Sequence, residues 1–346
     1  MIVKKRISIE DVAELAETSV TSVSRVMNNT GYPVSKALRA RILQAIEQLN
    51  YTPSSAAQGL RSTFNSVVGI VVRDISNTYF GEIARGATDA ALSRGHLSFI
   101  CDTGRNPVNE FEIHEHLWKH RVRGIVLTGG GFDTDEYRTL IQQQLERSAT
   151  FGLRLVATAP QGVDIPGVSP DFSGIAASVV NHFLEMGHRR IALVTGPFPV
   201  LTSQAHIAGF REALERHDLP YIPDYVITEG FTEKDGYVAC QRLLACGECP
   251  TALCCANDLI AIGAMHAIHD QGFSIPEDIS VVGIGDATVA SYARPALTSV
   301  RVPRYDIGAR AVEMVLDTAL PEEHTHLPSQ LVQRASVGPP RQRRNF

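Results

Sequence analysis

The sequence predicts an α/β protein in which a two-lobed core of doubly wound parallel sheets follows an all-α helix-turn-helix N-terminal domain. Three short helical patterns, each with its own start signal, fill the first 50 residues. Beyond residue 66, apolar strand candidates alternate with helical stretches for about 240 residues, as parallel sheets with helical crossovers require. Eight such strands exceed one comfortable open sheet in a chain of 346 residues, so the core divides into two lobes.

Taken in order, Ser8 is placed to cap a helix whose apolar residues Ile9, Val12, Ala13 and Ala16 recur at helical spacing. Ser19 caps a second, with Val23, Val26 and Met27 on its apolar side. Only Glu17-Thr18 separates the two, so they meet at a sharp angle, as in a helix-turn-helix. Ser35 caps a third through Ile42, Ile46 and Leu49, which ends before Pro53. Residues 54-66, SSAAQGLRSTFNS, read as a linker in which Ala56, Ala57 and Leu60 suit one short amphipathic helix. The strand candidates are VVGIVV (67-72), LSFIC (97-101), GIVLT (124-128), RLVAT (154-158), IALVT (191-195), VITEG (226-230), ALCCA (252-256) and SVVGI (280-284). A ligand belongs between the lobes, at the carboxyl ends of strands.

With 44% hydrophobic and 20% charged residues the chain is an ordinary globular one. Its net charge of -5 argues against nucleic acid only until it is divided. Residues 1-61 hold eight Lys/Arg against five Asp/Glu, a net of +3, and the rest hold 24 against 32, a net of -8. The N-terminus MIVKKRISIEDV lacks an apolar run of signal-peptide length, so a cytoplasmic, non-membrane protein is expected. Of six Cys, Cys246-Gly-Glu-Cys249 invites a metal reading, but no second CxxC or spaced His pair completes four ligands. Cys254 and Cys255 adjoin in a strand and face opposite ways. No metal or cofactor is expected.

The segments IEDVAELAETSVTSVSRVMNN, LNYTPSSAAQGLRS, GIVVRDISNTYFGEIARG, CCANDLIAIGAMHAI, DISVVGIGD and PALTSVRVP, in this order, resemble the lactose/galactose repressor (LacI/GalR) family of bacterial transcription regulators over roughly residues 7-338. The resemblance implies a DNA-binding headpiece (1-52), a hinge helix and linker (53-66), a periplasmic-binding-protein-like effector and dimerisation core (67-338) and a tail (339-346). The expected first lobe is 67-167 plus 298-325 and the second 168-297 plus 326-338. The expected partners are a near-palindromic double-stranded operator, a small-molecule effector, and a second copy of the chain in a homodimer. The tail PPRQRRNF has no heptad pattern to support tetramerisation.

In a helix-turn-helix the second helix enters the major groove, which brings Ser19, Val20, Thr21 and Ser22, then Arg25 and Asn28, to the bases. Arg25 is the best candidate for a bidentate guanine contact, and Val20 with the Thr21 methyl suits thymine methyls. The resemblance puts the operator-discriminating pair at Val20 and Thr21. Lys5, Arg6, Asn29, Ser35 and Lys36 suit phosphates. Ala57, Leu60 and Arg61 fall in the hinge, where the family inserts a Leu wedge into the minor groove. Glu17 stands at a turn position usually held by Gly or Asn, where left-handed backbone costs about 1 kcal/mol or more.

For the effector, the resemblance points to Tyr79 and Phe80 after the first core strand, whose rings suit stacking. It adds Thr202, His206 and Phe231 on the second lobe, and Asn257, Asp258 and Asp286 at later strand ends. His206 replaces a frequent Arg, so a bidentate clamp is lost. Gly283-Ile284-Gly285-Asp286 puts Gly285 where an acid is usual, leaving Asp286 either a hydroxyl ligand or a cap.

Enzymatic readings fail on their motifs. Gly129-Gly130-Gly131 and Gly283-Ile284-Gly285 lack the dinucleotide fingerprint, and no P-loop, G-x-S-x-G or H-E-x-x-H is present. His114, His116 and His120, on a helix expected to be exposed, do not gather on one face. Two receptor readings without operator binding compete: a transport-type small-molecule receptor, which shares the core fold but predicts a signal peptide and no headpiece, and an intracellular small-molecule sensor acting through protein partners, which requires a headpiece degenerate at Glu17.

Overall fold

The computed structural model describes residues 7-28, 32-51, 66-246, 248-317 and 323-341, in two compact units divided between Asn65 and Ser66. The first unit is three helices, α1 (Ile9–Leu15), α2 (Val20–Asn28) and α3 (Lys36–Gln48). Each begins at the expected serine. Ser8 forms a capping box with Asp11, the Ser22 N–H donates to Ser19 Oγ at 3.2 Å, and the Leu38 N–H donates to Ser35 Oγ at 3.3 Å. Val12, Ala13, Ala16, Val23, Val26, Ile42 and Ala45 close a small core between them.

Glu17 does adopt the left-handed conformation, at φ +48°. The Thr18 N–H donates to the Ala13 carbonyl at 2.9 Å, which ends α1 with a Schellman-type turn, and Arg41 donates to the Glu17 carbonyl at 3.3 Å. The helix-turn-helix bend thus forms with a Glu where a Gly would fit without strain.

The second unit holds two six-stranded sheets. In chain order its elements are β1 (Val67–Val72), α4 (Thr78–Ser93), β2 (Leu97–Asp102), α5 (Pro107–Lys119), β3 (Gly124–Leu127), α6 (Asp135–Thr150), β4 (Arg154–Ala157), β5 (Gly167–Pro170), α7 (Phe172–Glu185), β6 (Ile191–Thr195), α8 (Leu201–Arg216), β7 (Val226–Thr228), α9 (Glu233–Leu244), β8 (Ala252–Cys255), α10 (Asp258–Asp270), β9 (Ser280–Gly285), α11 (Thr288–Tyr292), β10 (Thr298–Arg301), α12 (Arg304–Leu316), β11 (His324–Leu327) and β12 (Gln330–Val332). The first sheet runs β11-β5-β4-β3-β1-β2 and the second β12-β10-β9-β8-β6-β7, all parallel except the β10–β12 pair. Every predicted strand is present. The four that were not predicted, β5 (GVSP), β10 (TSVR), β11 (HTHL) and β12 (QLV), lack the apolar run by which the others are read.

Three of these, β5, β10 and β11, shift the expected lobe limits, while β12 falls in the second lobe as expected. β5 (Gly167–Pro170) joins the first sheet, and β10 (Thr298–Arg301), assigned by sequence to the first lobe, pairs with β9 in the second. The chain therefore crosses between the lobes at 170-172, 301-304 and 327-330 rather than at 167, 297 and 325. Cys254 and Cys255 point into the two opposite faces of the second sheet, and all six thiols are free. Glycines let paired helices touch. A Cβ on Gly86 would lie 2.0 Å from the Tyr305 carbonyl oxygen where α4 meets α12, and one on Gly263 would lie 1.8 Å from that of Glu233 where α10 meets α9.

Candidate effector cavity and nucleic-acid interface

In the first unit, Ser19, Val20 and Thr21 stand exposed at the start of α2, and Ser22 is half-buried beside them. Arg25 is exposed one turn on, its guanidinium 4.9 Å from the centre of the Tyr32 ring, which orients it without consuming its donors. Val23, Ser24 and Val26 are buried on the opposite face. This leaves one solvent-facing edge that holds Ser19, Val20, Thr21 and Arg25. Ser35 caps α3, and Lys36 follows it exposed. Asn28 is the last residue of α2. Lys5, Arg6, Asn29, Ala57, Leu60 and Arg61 lie outside the described residues.

Between the lobes of the second unit is a cavity of about 460 Å³ that brings together Tyr79, Phe80, Thr202, His206, Phe231 and Asn257. The lobes meet at its rim. Phe132 bridges to Val200, the Asp133 N–H donates to the Pro199 carbonyl at 2.6 Å, and the Leu201 N–H donates to that of Gly131 at 2.9 Å. Tyr79 and Phe80 begin α4, whose N-cap Asn77 accepts from the Tyr79 N–H at 2.9 Å, and the two rings stack edge to face. Thr202 and His206 lie one turn apart on α8. His206 is 5% exposed, neither of its ring nitrogens has a hydrogen-bond partner, and burial pushes its pKa down to about 4. It is a neutral imidazole in contact with Phe172 at 5.8 Å between ring centres.

Asn257 plays a supporting part. Its Oδ1 accepts from the Ile260 N–H at 2.7 Å, and its Nδ2 donates to the Phe231 carbonyl at 3.0 Å, which fixes that ring's segment.

Asp258 and Asp286 are corrections, since neither lines the cavity. Asp258 is buried, accepting from the Ser299 hydroxyl at 2.5 Å and the Ala287 N–H at 2.6 Å. Burial raises its pKa against these bonds. Asp286, at φ +53°, is paired with Arg301 at 2.8 Å and Arg334 at 2.5 Å. Asp258 ties the start of α10 to β10 and to the turn after β9, and Asp286 ties the end of β9 to β10 and the C-terminal segment.

Sequence reasoning missed the cavity's two cations. Arg73, 4% exposed, pairs with Glu110 and donates to the Tyr137 hydroxyl at 2.9 Å and to Gln161 Oε1 at 3.2 Å. Burial works against its charge, but Glu110 and Tyr137 outweigh that and hold its pKa above the ordinary value. Gly129 makes room for it, since a Cβ there would lie 2.7 Å from Arg73 Cγ and 2.8 Å from Phe80. Arg105 pairs with Asp74 at 3.4 Å, and its guanidinium lies between two rings, 5.6 Å from Phe80 and 4.4 Å from Phe231. A basic residue in the polar loop DTGRN gave no signal of this. His114, expected on an exposed helix face, is fully buried behind this wall, and burial pushes it down to about 4. Among the described residues no cluster of His, Cys, Asp and Glu could hold a metal, and no helix is long and apolar enough to cross a membrane.

Residues 8–54 match the model of bacterial regulatory proteins of the lacI family, and residues 180–337 match a periplasmic binding protein-like domain. The chain is 32% identical to catabolite control protein A of Priestia megaterium over 89% of this chain and 91% of that one. It is 31% identical to the HTH-type transcriptional repressor PurR of Haemophilus influenzae over 90% of both. Among solved structures, it superposes on the lac repressor dimer bound to operator and the anti-inducer ONPF with a TM-score of 0.86, at 25% identity over 96% of this chain and all of that one. The complex of the transcriptional regulator CelR with cellobiose gives a TM-score of 0.72, at 27% identity over the same shares.

Proposed function

The chain belongs to the LacI family of DNA-binding, ligand-regulated transcription regulators, and from that premise we propose that it is a sequence-specific repressor whose operator affinity is set by a sugar or sugar derivative bound between its core lobes. The observation that carries the effector half is the interlobe cavity, in which a neutral, unpartnered His206 stands among the rings of Tyr79, Phe80, Phe172 and Phe231. Aromatic faces stack on the C–H faces of a sugar ring, and an imidazole with both nitrogens free takes and gives hydrogen bonds to hydroxyls.

The exposed edge of α2 supports direct readout, with Arg25 on guanine and Val20 and Thr21 on thymine methyls. A homodimer supplies two such edges. The outer strand β2 leaves Leu97, Phe99 and Ile100 exposed at 65%, 41% and 47%, an apolar sheet edge suited to a second copy. Coupling follows from linkage, since a ligand shifts operator affinity only by binding the core conformations unequally.

The test is operator selection from a random duplex pool with the full chain at low salt, then titration of the selected duplex with and without candidate sugars. Failure to enrich any duplex overturns the repressor reading in favour of a receptor without operator binding. An operator affinity unmoved by every ligand that binds overturns the allosteric half.

A further inference from the structure

Resting on that reading of the cavity, we infer that the effector is an uncharged ring bearing hydroxyl or carbonyl oxygens, and that phosphorylated or carboxylated forms of it are rejected. The argument is the charge balance of the cavity wall. Its two cations arrive already neutralised by carboxylates of this chain, Arg73 by Glu110 and Arg105 by Asp74. Apart from His206, the wall's remaining acidic or basic side chain is a carboxyl. Asp235 accepts from the Thr232 N–H at 2.9 Å and from its hydroxyl at 2.6 Å, closing the capping box of α9. His206, where a positive charge would matter most, is neutral at physiological pH because burial disfavours its cation. The wall therefore sums to a slight negative charge.

The helix ends reinforce the balance. Those of α4, α9 and α10 at the cavity are each capped by a side chain, Asn77, Thr232 and Asn257. α8 has no side-chain cap, but its Leu201 N–H already donates to Gly131. The partial charge left there suits a hydroxyl or carbonyl oxygen. A phosphate brings -1.5 to -2 charges that need unpaired cations, and burying it against this wall costs several kcal/mol per uncompensated charge. An uncharged ring meets no such cost and stacks on the aromatic wall.

Arg73 and Arg105 consequently act as shaped, pre-neutralised donors. A ligand that broke either pair to claim the guanidinium would strand Glu110, which is fully buried, or Asp74. Selectivity against anions is thus built from the partners and not from the arginines.

The experiment is a thermal-shift and calorimetric comparison of matched probes on the full chain: glucose against glucose 6-phosphate and glucuronate, ribose against ribose 5-phosphate, cellobiose, and adenosine against its 5'-monophosphate. At least one uncharged probe is expected to bind, with its charged counterpart at least tenfold weaker. A charged member that binds as well as or better than its neutral partner overturns the inference, as does a set in which no uncharged probe binds. Asp74→Asn, which frees Arg105 at the half-exposed rim, is expected to narrow the preference by at least threefold; an unchanged ratio overturns the role given to the pair. Glu110→Gln makes the same test at Arg73 if it folds. Operator binding by the same preparation separates the outcomes: retained binding with a failed probe set fells this inference alone, and loss of operator binding fells the repressor reading.

Discussion

The guanidinium of Arg105, carried on the first lobe, lies 4.4 Å from the centre of the Phe231 ring on the second, and so ties the lobes across the mouth of the cavity. Its ion pair with Asp74 at 3.4 Å and its approach to Phe80 anchor it on its own side. A cation over a ring at a partly exposed site is worth about 0.5–2 kcal/mol. In a double-mutant cycle on chemical unfolding, Arg105→Ala and Phe231→Leu should therefore couple by about that amount. Additive losses would remove the tie.

Arg25 should carry base identity. Arg25→Ala is expected to cost about 1–3 kcal/mol on the selected operator and to relax preference at one base position per half-site. A uniform loss across all duplexes in a competition gel shift would demote it to a phosphate contact. Leu60→Ala should weaken specific binding much more than non-specific binding, and equal losses would remove the wedge argument.

Relieving the turn strain should stabilise the first unit. Glu17→Gly is expected to add about 1 kcal/mol, because Gly adopts φ +48° without a Cβ clash. Amide exchange at α1 and α2 in the full chain would slow about fivefold. Unchanged or faster exchange would show that the greater backbone freedom of Gly in the unfolded chain outweighs the strain relieved at the turn.

Acid should loosen the core through its buried imidazoles. His206 and His114 titrate near pH 4 in the folded chain, against about 6.5 when unfolded. The unfolded chain thus binds their protons first, so their contribution is complete above pH 6.5 and is lost as pH falls toward 4. Each is worth on the order of 3 kcal/mol at most. His206→Gln should flatten the dependence of urea stability on pH between 6.5 and 4, and a slope equal to that of the parent would contradict the assignment.

Asp258 should matter for folding more than for ligand. Asp258→Asn weakens the bonds from Ser299 and Ala287, at a cost of about 1–3 kcal/mol, while the residue lies off the cavity. Calorimetry should show a lowered melting temperature with effector affinity within about threefold of the parent. A selective loss of affinity would return it to the binding wall.

What was legible in the chain was local. Ser8, Ser19 and Ser35 announce their helices because a cap depends on three or four neighbours, and Glu17 was placed at its left-handed turn through the resemblance. Tyr79 and Phe80 were placed through the resemblance, and the fold of α4 puts them at the cavity. What was not legible depends on distant partners. Asp286 reads as a hydroxyl ligand or a cap until Arg301 and Arg334 arrive to claim it, and Arg73 carries no signal of its own because its partner Glu110 lies 37 residues on.

The three crossings between lobes bear on how the chain is made. Neither sheet is a contiguous stretch: the first waits for α12 and β11, and the second for β10 and β12, all beyond residue 297. During synthesis from the N-terminus, an emerging nascent chain exposes two unfinished sheet edges until its last fifty or so residues leave the ribosome. The small helical unit is free of this delay. A prematurely terminated product would then carry the folded helix-turn-helix unit beside a core whose two sheets both lack their last strands.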